Sequence, residues 1–341
     1  MKTHSDWCDL PSELLADIAK RLSSIHDYLC FRGVCSSWRS AATFDNFDNA
    51  LPRVPWLMYV SGEKEEKNVE RVASFYDLSN NKTYNITANF PPPHDKKSYV
   101  LSCGGWILCV SEDTGGAVNL THLVWRVKID LPCLDTFPDY AHKDRIRFIT
   151  KMVLSCSPTI KGHLVVMVIW GKKNQLGFSR PGDSSWSVTD TWDGSFSDII
   201  YRNGRLYAVF SFPYLPDLYY PASTAFYLVE TSGGLLIVRR GIFDRRTIWF
   251  EVYEIDLKDG SHKKIHGLPN MALFLGCNSS LCVEVCDWDR NVAKPNCIYF
   301  TGRGKNSDRG LCCLSDMSFE GLPGEFSGPF LTPPTWVVPS F

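Results

Sequence analysis

Four stretches of this chain share one outline: a short apolar run, a turn, and a second short run. Phe75-Tyr76-Asp77-Leu78 leads through Asn80-Asn81 to Thr83-Tyr84-Asn85-Ile86. Val252-Tyr253-Glu254-Ile255-Asp256-Leu257 leads through Asp259-Gly260 to Lys263-Lys264-Ile265. Val118-Asn119-Leu120 with Val127-Lys128-Ile129-Asp130-Leu131-Pro132, and Leu176-Gly177-Phe178 with Trp186-Ser187-Val188, repeat the pattern. A hairpin repeated in this way buries its faces only by stacking on its copies, which points to a β-propeller with each repeat forming the outer hairpin of a blade. The apolar runs between them, such as Trp106-Ile107-Leu108-Cys109-Val110 and Val165-Val166-Met167-Val168-Ile169-Trp170, are short, as strands are. Asn203-Gly204, set between two such runs, is the strongest hairpin signal in the chain. At about 40–50 residues per repeat, the chain beyond residue 50 leaves room for six blades, with five or seven also compatible. A pair of β-sandwiches would account for the strands but not for the repeat. Residues 211 to 224 carry three prolines, too many for a central strand, and are expected to replace an outer hairpin with an irregular loop.

Residues 9 to 42 follow a different period. Asp9-Leu10-Pro11-Ser12-Glu13 reads as a helix start, with proline at the entry and acidic residues near the positive end of the dipole. Leu14, Ile18 and Leu22 then fall at steps of four, with Leu15 and Ala19 beside them. Ser23-Ser24 breaks the helix, Asp27 can cap a second one that Gly33 ends, and a third follows from Cys35. Three short helices bury too little to stand alone, so such a module completes its core against a partner or caps the body behind it.

The segments Asp9-Leu10-Pro11-Ser12-Glu13-Leu14-Leu15 and Phe31-Arg32-Gly33-Val34-Cys35-Ser36-Ser37-Trp38-Arg39 closely resemble the F-box. The resemblance implies a surface that grips a Skp-type adaptor, and through it a cullin. The matching positions are Leu10, Pro11, Leu14, Leu15, Ile18, Leu22, Val34, Cys35, Trp38 and Arg39. Some of them must hold the module together, and the residues by themselves do not divide the two roles. A second resemblance spans the body from about residue 56 to Trp336-Val337-Val338-Pro339. Phe178-Ser179-Arg180-Pro181-Gly182-Asp183 with Trp186, Ala272 to Ser280, and Asn296-Cys297-Ile298-Tyr299-Phe300-Thr301 are similar to a large plant F-box family whose C-terminal domain is a kelch-like propeller. In that family the propeller recruits targets and no chemistry is implied. Asn119-Leu120-Thr121-His122 replaces an Asn-Pro turn common in its second blade, which leaves open whether that blade is regular here.

The expected architecture is therefore mainly β: a small all-α F-box module over residues 1–50, then a β-propeller over residues 51–341. The expected function is that of a substrate-receptor subunit of a Skp-cullin-F-box ubiquitin ligase, itself non-catalytic. The alternative is a stand-alone propeller scaffold or sugar-acting enzyme with a helical cap. The loop at 211–224 displays Tyr214, Tyr219 and Tyr220, which suit capture of a target protein; the competing reading folds them back over a blade edge.

Other chemistry is weakly supported. With 36 basic and 37 acidic residues the chain has no bias toward nucleic acid, and no polybasic run marks a membrane surface. The 13 cysteines follow a start, Met1 to Asp6, without the apolar stretch of a signal peptide. They are expected to stay reduced in the cytoplasm and/or nucleus, and the Asn-x-Ser/Thr sequons at Asn81, Asn85, Asn119 and Asn278 are then chance matches. His262, His266, Cys277, Cys282 and Cys286 lack the two tight ligand pairs of a zinc site. Gly302-Arg303-Gly304-Lys305 fails as a phosphate loop, since Asn306 stands where a hydroxyl should bind magnesium and Tyr299 where the first glycine belongs. No cofactor, metal or catalytic residue is expected. The Arg239-Arg240 and Arg245-Arg246 pairs flank an expected hairpin tip at 241–244, by default a solvated turn, with an acidic patch on a bound target as the sharper option.

Overall fold

The structure is a computed structural model, and it describes residues 7–22, 25–43, 54–61, 72–86, 98–111, 115–122, 127–138, 140, 148–156, 163–189, 195–211, 223–285, 293–302, 308–322 and 334–338. The chain divides into two compact units, one reaching Arg53 and including Pro339–Phe341, the other Val54–Val338. Among the described residues no helix is long and apolar enough to cross a membrane.

The first unit holds α1 (Ser12–Lys20), α2 (Ile25–Gly33) and α3 (Ser36–Ala41). Pro11 leads into α1 with φ −52°, and its carbonyl accepts the Leu15 N–H at 3.1 Å. The inward stripe of α1, Leu15 and Ala19, packs with Tyr28 and Phe31 of α2 and with Ala41 and Ala42 at the end of α3. Leu10, Leu22 and Trp38 close the margin of this small core. The last carbonyls of a helix have no partner within it. Here α2 supplies them: the buried Arg32 guanidinium donates to the Ala42 carbonyl, and the Tyr28 hydroxyl donates to that of Thr43 at 2.9 Å. Since α2 starts at Ile25, Asp27 lies inside its first turn instead of capping it.

Among its described residues the second unit holds six sheets. Sheet 1 contains β1 (Trp56–Ser61), β2 (Val72–Asp77), β3 (Lys82–Ile86) and the last strand of the chain, β23 (Thr335–Val337). Sheet 2 contains β4 (Ser98–Cys103), β5 (Trp106–Ser111), β6 (Ala117–His122) and β7 (Lys128–Leu131). Sheet 3 contains β8 (Ile149–Leu154), β9 (Val166–Trp170), β10 (Gln175–Ser179) and β11 (Ser187–Val188). Among the described residues sheet 4 contains β12 (Ser195–Arg202) and β13 (Arg205–Ser211). Sheet 5 contains β14 (Ser223–Thr231), β15 (Gly234–Phe243), β16 (Arg246–Ile255) and β17 (His262–Ile265). Sheet 6 contains β18 (Met271–Leu275), β19 (Ser280–Glu284), β20 (Cys297–Phe300), β21 (Gly310–Cys313) and β22 (Phe319–Glu320).

Among the described residues the ring therefore has five full blades of four or five strands, the lower of the compatible counts, and a two-stranded sheet between the third and fourth of them. The four repeated hairpins of the sequence are β2–β3, β6–β7, β10–β11 and β16–β17, in each case the third and fourth strands of a sheet. Asn203 and Gly204 turn β12 into β13 with φ of 50° and 78°, the left-handed pair that a two-residue hairpin requires. Sheet 2 is regular despite its departure at residues 119–122. Val118, Leu120 and His122 are buried while Asn119 and Thr121 are half-exposed, so the segment keeps the period of a strand. Sheet 6 departs from the pattern instead: β18 pairs antiparallel with β19 and parallel with β20. A parallel pair needs a crossover, and β19 lies within that connection.

The ring is closed by the chain's end. Trp56, Leu57 and Met58 pair with Val337, Trp336 and Thr335, so the last strand completes the first sheet and leaves β1 no open edge. Trp336 is fully buried and donates its indole N–H to the Leu275 carbonyl of sheet 6 at 3.1 Å.

Candidate functional site

The helical unit sorts the residues that resemble the adaptor-binding set. Leu15 is 1% exposed and belongs to the core, whereas Leu14 is 51%, Ile18 38% and Val34 53% exposed. Leu14 and Ile18 lie one turn apart on α1, beside the buried Leu15–Ala19 stripe, so one helix presents an inner and an outer apolar row. Pro11 and Arg39 are exposed; Leu10, Leu22, Cys35 and Trp38 are half-buried. Trp38 faces inward: its ring lies 4.4 Å from that of Phe31, and its indole N–H donates to the Trp7 carbonyl at 2.9 Å. That bond holds Trp7, itself 66% exposed, beside α3. Trp7 was not among the sequence candidates, because a lone tryptophan before the helix start carries no periodic signal. Hydrogen bonding, first from the Trp38 backbone N–H, holds the Cys35 thiol below its ordinary value.

Among the residues expected to capture a target, Tyr214, Tyr219 and Tyr220 lie outside the described residues. The two arginine pairs are not alike. The turn is Asp244-Arg245, both with positive φ, while Arg239 and Arg240 lie inside β15. Arg240 is buried. It donates to the Thr247 hydroxyl at 2.9 Å and the Thr301 carbonyl at 2.8 Å, and sits 4.7 Å over the Phe300 ring. The solvated-turn expectation fails for this residue because strand alternation turns it into the joint between sheets 5 and 6. Arg239, its neighbour, points to the opposite face and pairs with Glu251 at 3.0 Å.

The family-like stretches are also joints. In Asn278-Ser279-Ser280, the Asn278 amide donates to the Ser102 carbonyl and its oxygen accepts the Met152 N–H at 2.6 Å. One side chain of sheet 6 thus fastens sheets 2 and 3. The Ser102 hydroxyl donates to the Trp336 carbonyl at 2.6 Å and meets the Ser279 hydroxyl at 2.7 Å. In the 178–186 stretch, Asp183 accepts the Arg180 N–H at 2.7 Å, and the Trp186 indole N–H donates to the Pro132 carbonyl at 2.8 Å. Asp198 ties the two-stranded sector on both sides: its carboxylate pairs with Lys151 of sheet 3 at 2.6 Å and accepts the Leu228 N–H of sheet 5 at 2.7 Å.

Burial lowers the His122 imidazole to about 4, leaving it neutral at physiological pH. Burial raises the thiols of Cys109, Cys282, Cys297 and Cys312 to about 12, so they behave as small apolar groups. Among the described residues no cysteine is in a disulfide, and no cluster of three or more His, Cys, Asp or Glu side chains could hold a metal.

A short helical unit with an outer apolar row, followed by a ring of sheets closed by its own last strand, defines an F-box protein with a β-propeller body. An F-box domain model matches residues 7–49, and a KIB1-4 beta-propeller model matches residues 75–322. The chain belongs to the KIB1-4 beta-propeller family. It is 24% identical to the F-box protein SKIP23 of Arabidopsis thaliana over 98% of this chain and 96% of that one. It is 25% identical to the Arabidopsis F-box protein At4g35733 over 92% of this chain and 95% of that one. Likeness to a solved glycosidase-type structure of Bacteroides thetaiotaomicron, 11% identical over 83% of this chain and 91% of that one with a TM-score of 0.29, is too distant to bear on chemistry.

Proposed function

We propose that the protein is the substrate receptor of a Skp-cullin-F-box ubiquitin ligase. The helical unit binds a Skp-type adaptor, which links it to a cullin, and the propeller captures a target protein for ubiquitination. It contributes no catalytic residue and no cofactor, and works in the cytoplasm and/or nucleus. The observation that carries this reading is the exposed apolar surface of the helical unit: Leu14 and Ile18 on α1, and Val34 after α2, stay exposed in a unit whose core is already filled by Leu15, Ala19, Tyr28 and Phe31. Exposed apolar side chains grouped on so small a unit mark a surface for a partner. In the same unit Leu10, Leu22, Cys35 and Trp38 are half-buried, and Pro11 and Arg39 are exposed.

Pull-down of the full chain with a Skp-type adaptor tests this. Leu14→Asp with Ile18→Asp should weaken adaptor binding at least a hundredfold while leaving the melting temperature unchanged, since neither side chain supports the core. Leu15→Ala should instead destabilise the helical unit by about 2–4 kcal/mol. Failure of the wild-type chain to bind any Skp-type adaptor at micromolar concentration would rule the reading out.

A further inference from the structure

The entry to the helical unit brings two thiols together at its surface. Cys8 lies in the single turn Trp7–Asp9 that precedes α1, and Cys35 stands at the cap of α3. The Trp38 indole, one turn on from Cys35, holds the Trp7 carbonyl at 2.9 Å, which sets that turn against α3. Cys8 is exposed and Cys35 half-exposed, so a small solute reaches both. The Trp38 backbone N–H comes first among the groups that hold the Cys35 thiol below its ordinary value, and the facing Cys8 thiol is the next that acts in that direction.

A second thiol pair in the molecule shows the contrast. Cys297 and Cys313 stand directly opposite each other on β20 and β21, but burial raises Cys297 to about 12 and leaves it almost no thiolate, the form that reacts. Nor does the surface pair make a metal site: no third His, Cys, Asp or Glu among the described residues joins it. What two accessible thiols in contact can do, and one cannot, is resolve an oxidised sulfur into a disulfide.

We propose that Cys8 and Cys35 form a peroxide-responsive dithiol, whose closure to a disulfide weakens the grip of the helical unit on its adaptor. The second half of the proposal rests on the receptor reading above. The Cys35 thiolate attacks hydrogen peroxide: an S–O bond forms, the O–O bond breaks, and the departing hydroxide takes a proton to become water. The sulfur is oxidised by two electrons and the peroxide reduced by two. The Cys8 sulfur then attacks the sulfenic sulfur, the S–S bond forms as the S–O bond breaks, and the hydroxide leaves with the Cys8 proton as a second water. A disulfide holds its sulfurs about 2.05 Å apart, closer than any non-bonded contact. Closure therefore draws the Trp7–Asp9 turn, with the exposed Trp7, onto the corner where exposed Val34 leads into α3.

The test uses the purified full chain, reduced, freed of reductant and exposed to micromolar hydrogen peroxide, then alkylated and digested without reduction. Peptide mass spectra should show a Cys8–Cys35 link as the main product, reversed by dithiothreitol, while Cys297 and Cys313 remain thiols. Cys8→Ser should strand Cys35 as the sulfenic acid and raise its labelling by dimedone at least tenfold over the wild type, with an unchanged melting temperature. No link, a link from Cys35 to Cys30 or between chains, or Cys35 passing to the sulfinic acid with Cys8 still reduced would overturn the proposal. Affinity for a Skp-type adaptor is then compared on the reduced and bridged chain. Bridging should weaken it at least fivefold, dithiothreitol should restore it, and reduced Cys8→Ser should bind as the reduced wild type does. An unchanged affinity after bridging would defeat the switch. Absence of adaptor binding by the reduced wild type would defeat the receptor reading instead, and leaves the thiol chemistry to be decided by the mass spectra.

Discussion

His122 shows how one buried side chain couples stability to pH. An unfolded chain protonates it as pH falls through about 6.5, whereas the folded chain holds it neutral down to about 4. The unfolded state therefore binds more protons between those values, so the stabilising contribution is complete above pH 6.5 and is lost as pH falls toward 4. The loss should amount to about 2–3 kcal/mol across that window. Urea unfolding at pH 7 and pH 5 should show it, and His122→Phe should flatten the dependence. Cys35 makes the second residue-scale case. With its thiol held below the ordinary value and half-exposed, it should alkylate with iodoacetamide at pH 7.5 far faster than the buried Cys109, Cys297 and Cys312. Saturating Skp-type adaptor should slow the Cys35 reaction at least tenfold in peptide mass spectra; an unchanged rate would place the adaptor elsewhere.

The strand that most determines integrity is also among the shortest. β23 contributes three residues, yet it fills the inner edge of sheet 1 and carries the buried Trp336 against Leu275 and Phe274. Trp336→Ala should cost about 3–5 kcal/mol by the loss of that packing. Deleting residues 331–341 should do more, exposing the β1 edge and driving the protein into aggregates; a soluble truncation with unchanged melting would refute closure by this strand. The outer hairpins are stabilised more locally. Asp77, Asp256 and Asp316 each accept a backbone N–H two residues on, at 2.8, 2.8 and 2.9 Å. Asp77 and Asp256 stand in two of the hairpins whose repeat was visible in the sequence.

Across the whole molecule, Asn278 joins three sheets that are far apart in the chain. Its replacement by leucine leaves the Met152 N–H buried without its partner and removes a donor from the Ser102 carbonyl, which should destabilise the propeller by about 2–4 kcal/mol. Thermal unfolding should show the loss with adaptor binding per folded molecule unchanged, since the helical unit has its own core. The same side chain stands in an Asn-x-Ser sequon, and its burial leaves no room for a sugar in the folded state.

What the sequence determined by itself is what depends on neighbours along the chain. The helix stripe Leu14-Leu15-Ile18-Ala19, the Asn203-Gly204 turn and the four outer hairpins are set by periodicity and turn chemistry within a dozen residues, and each was legible. The F-box and propeller resemblances likewise rest on contiguous stretches. Tertiary structure alone decided which of two adjacent leucines faces the core, that Arg239 and Arg240 serve opposite faces of one strand, and that Asn278 and Trp336 are joints. Burial and cross-sheet hydrogen bonds arise from residues that meet only once the ring has closed, over separations as large as that between Ser102 and Trp336, and no local pattern encodes them.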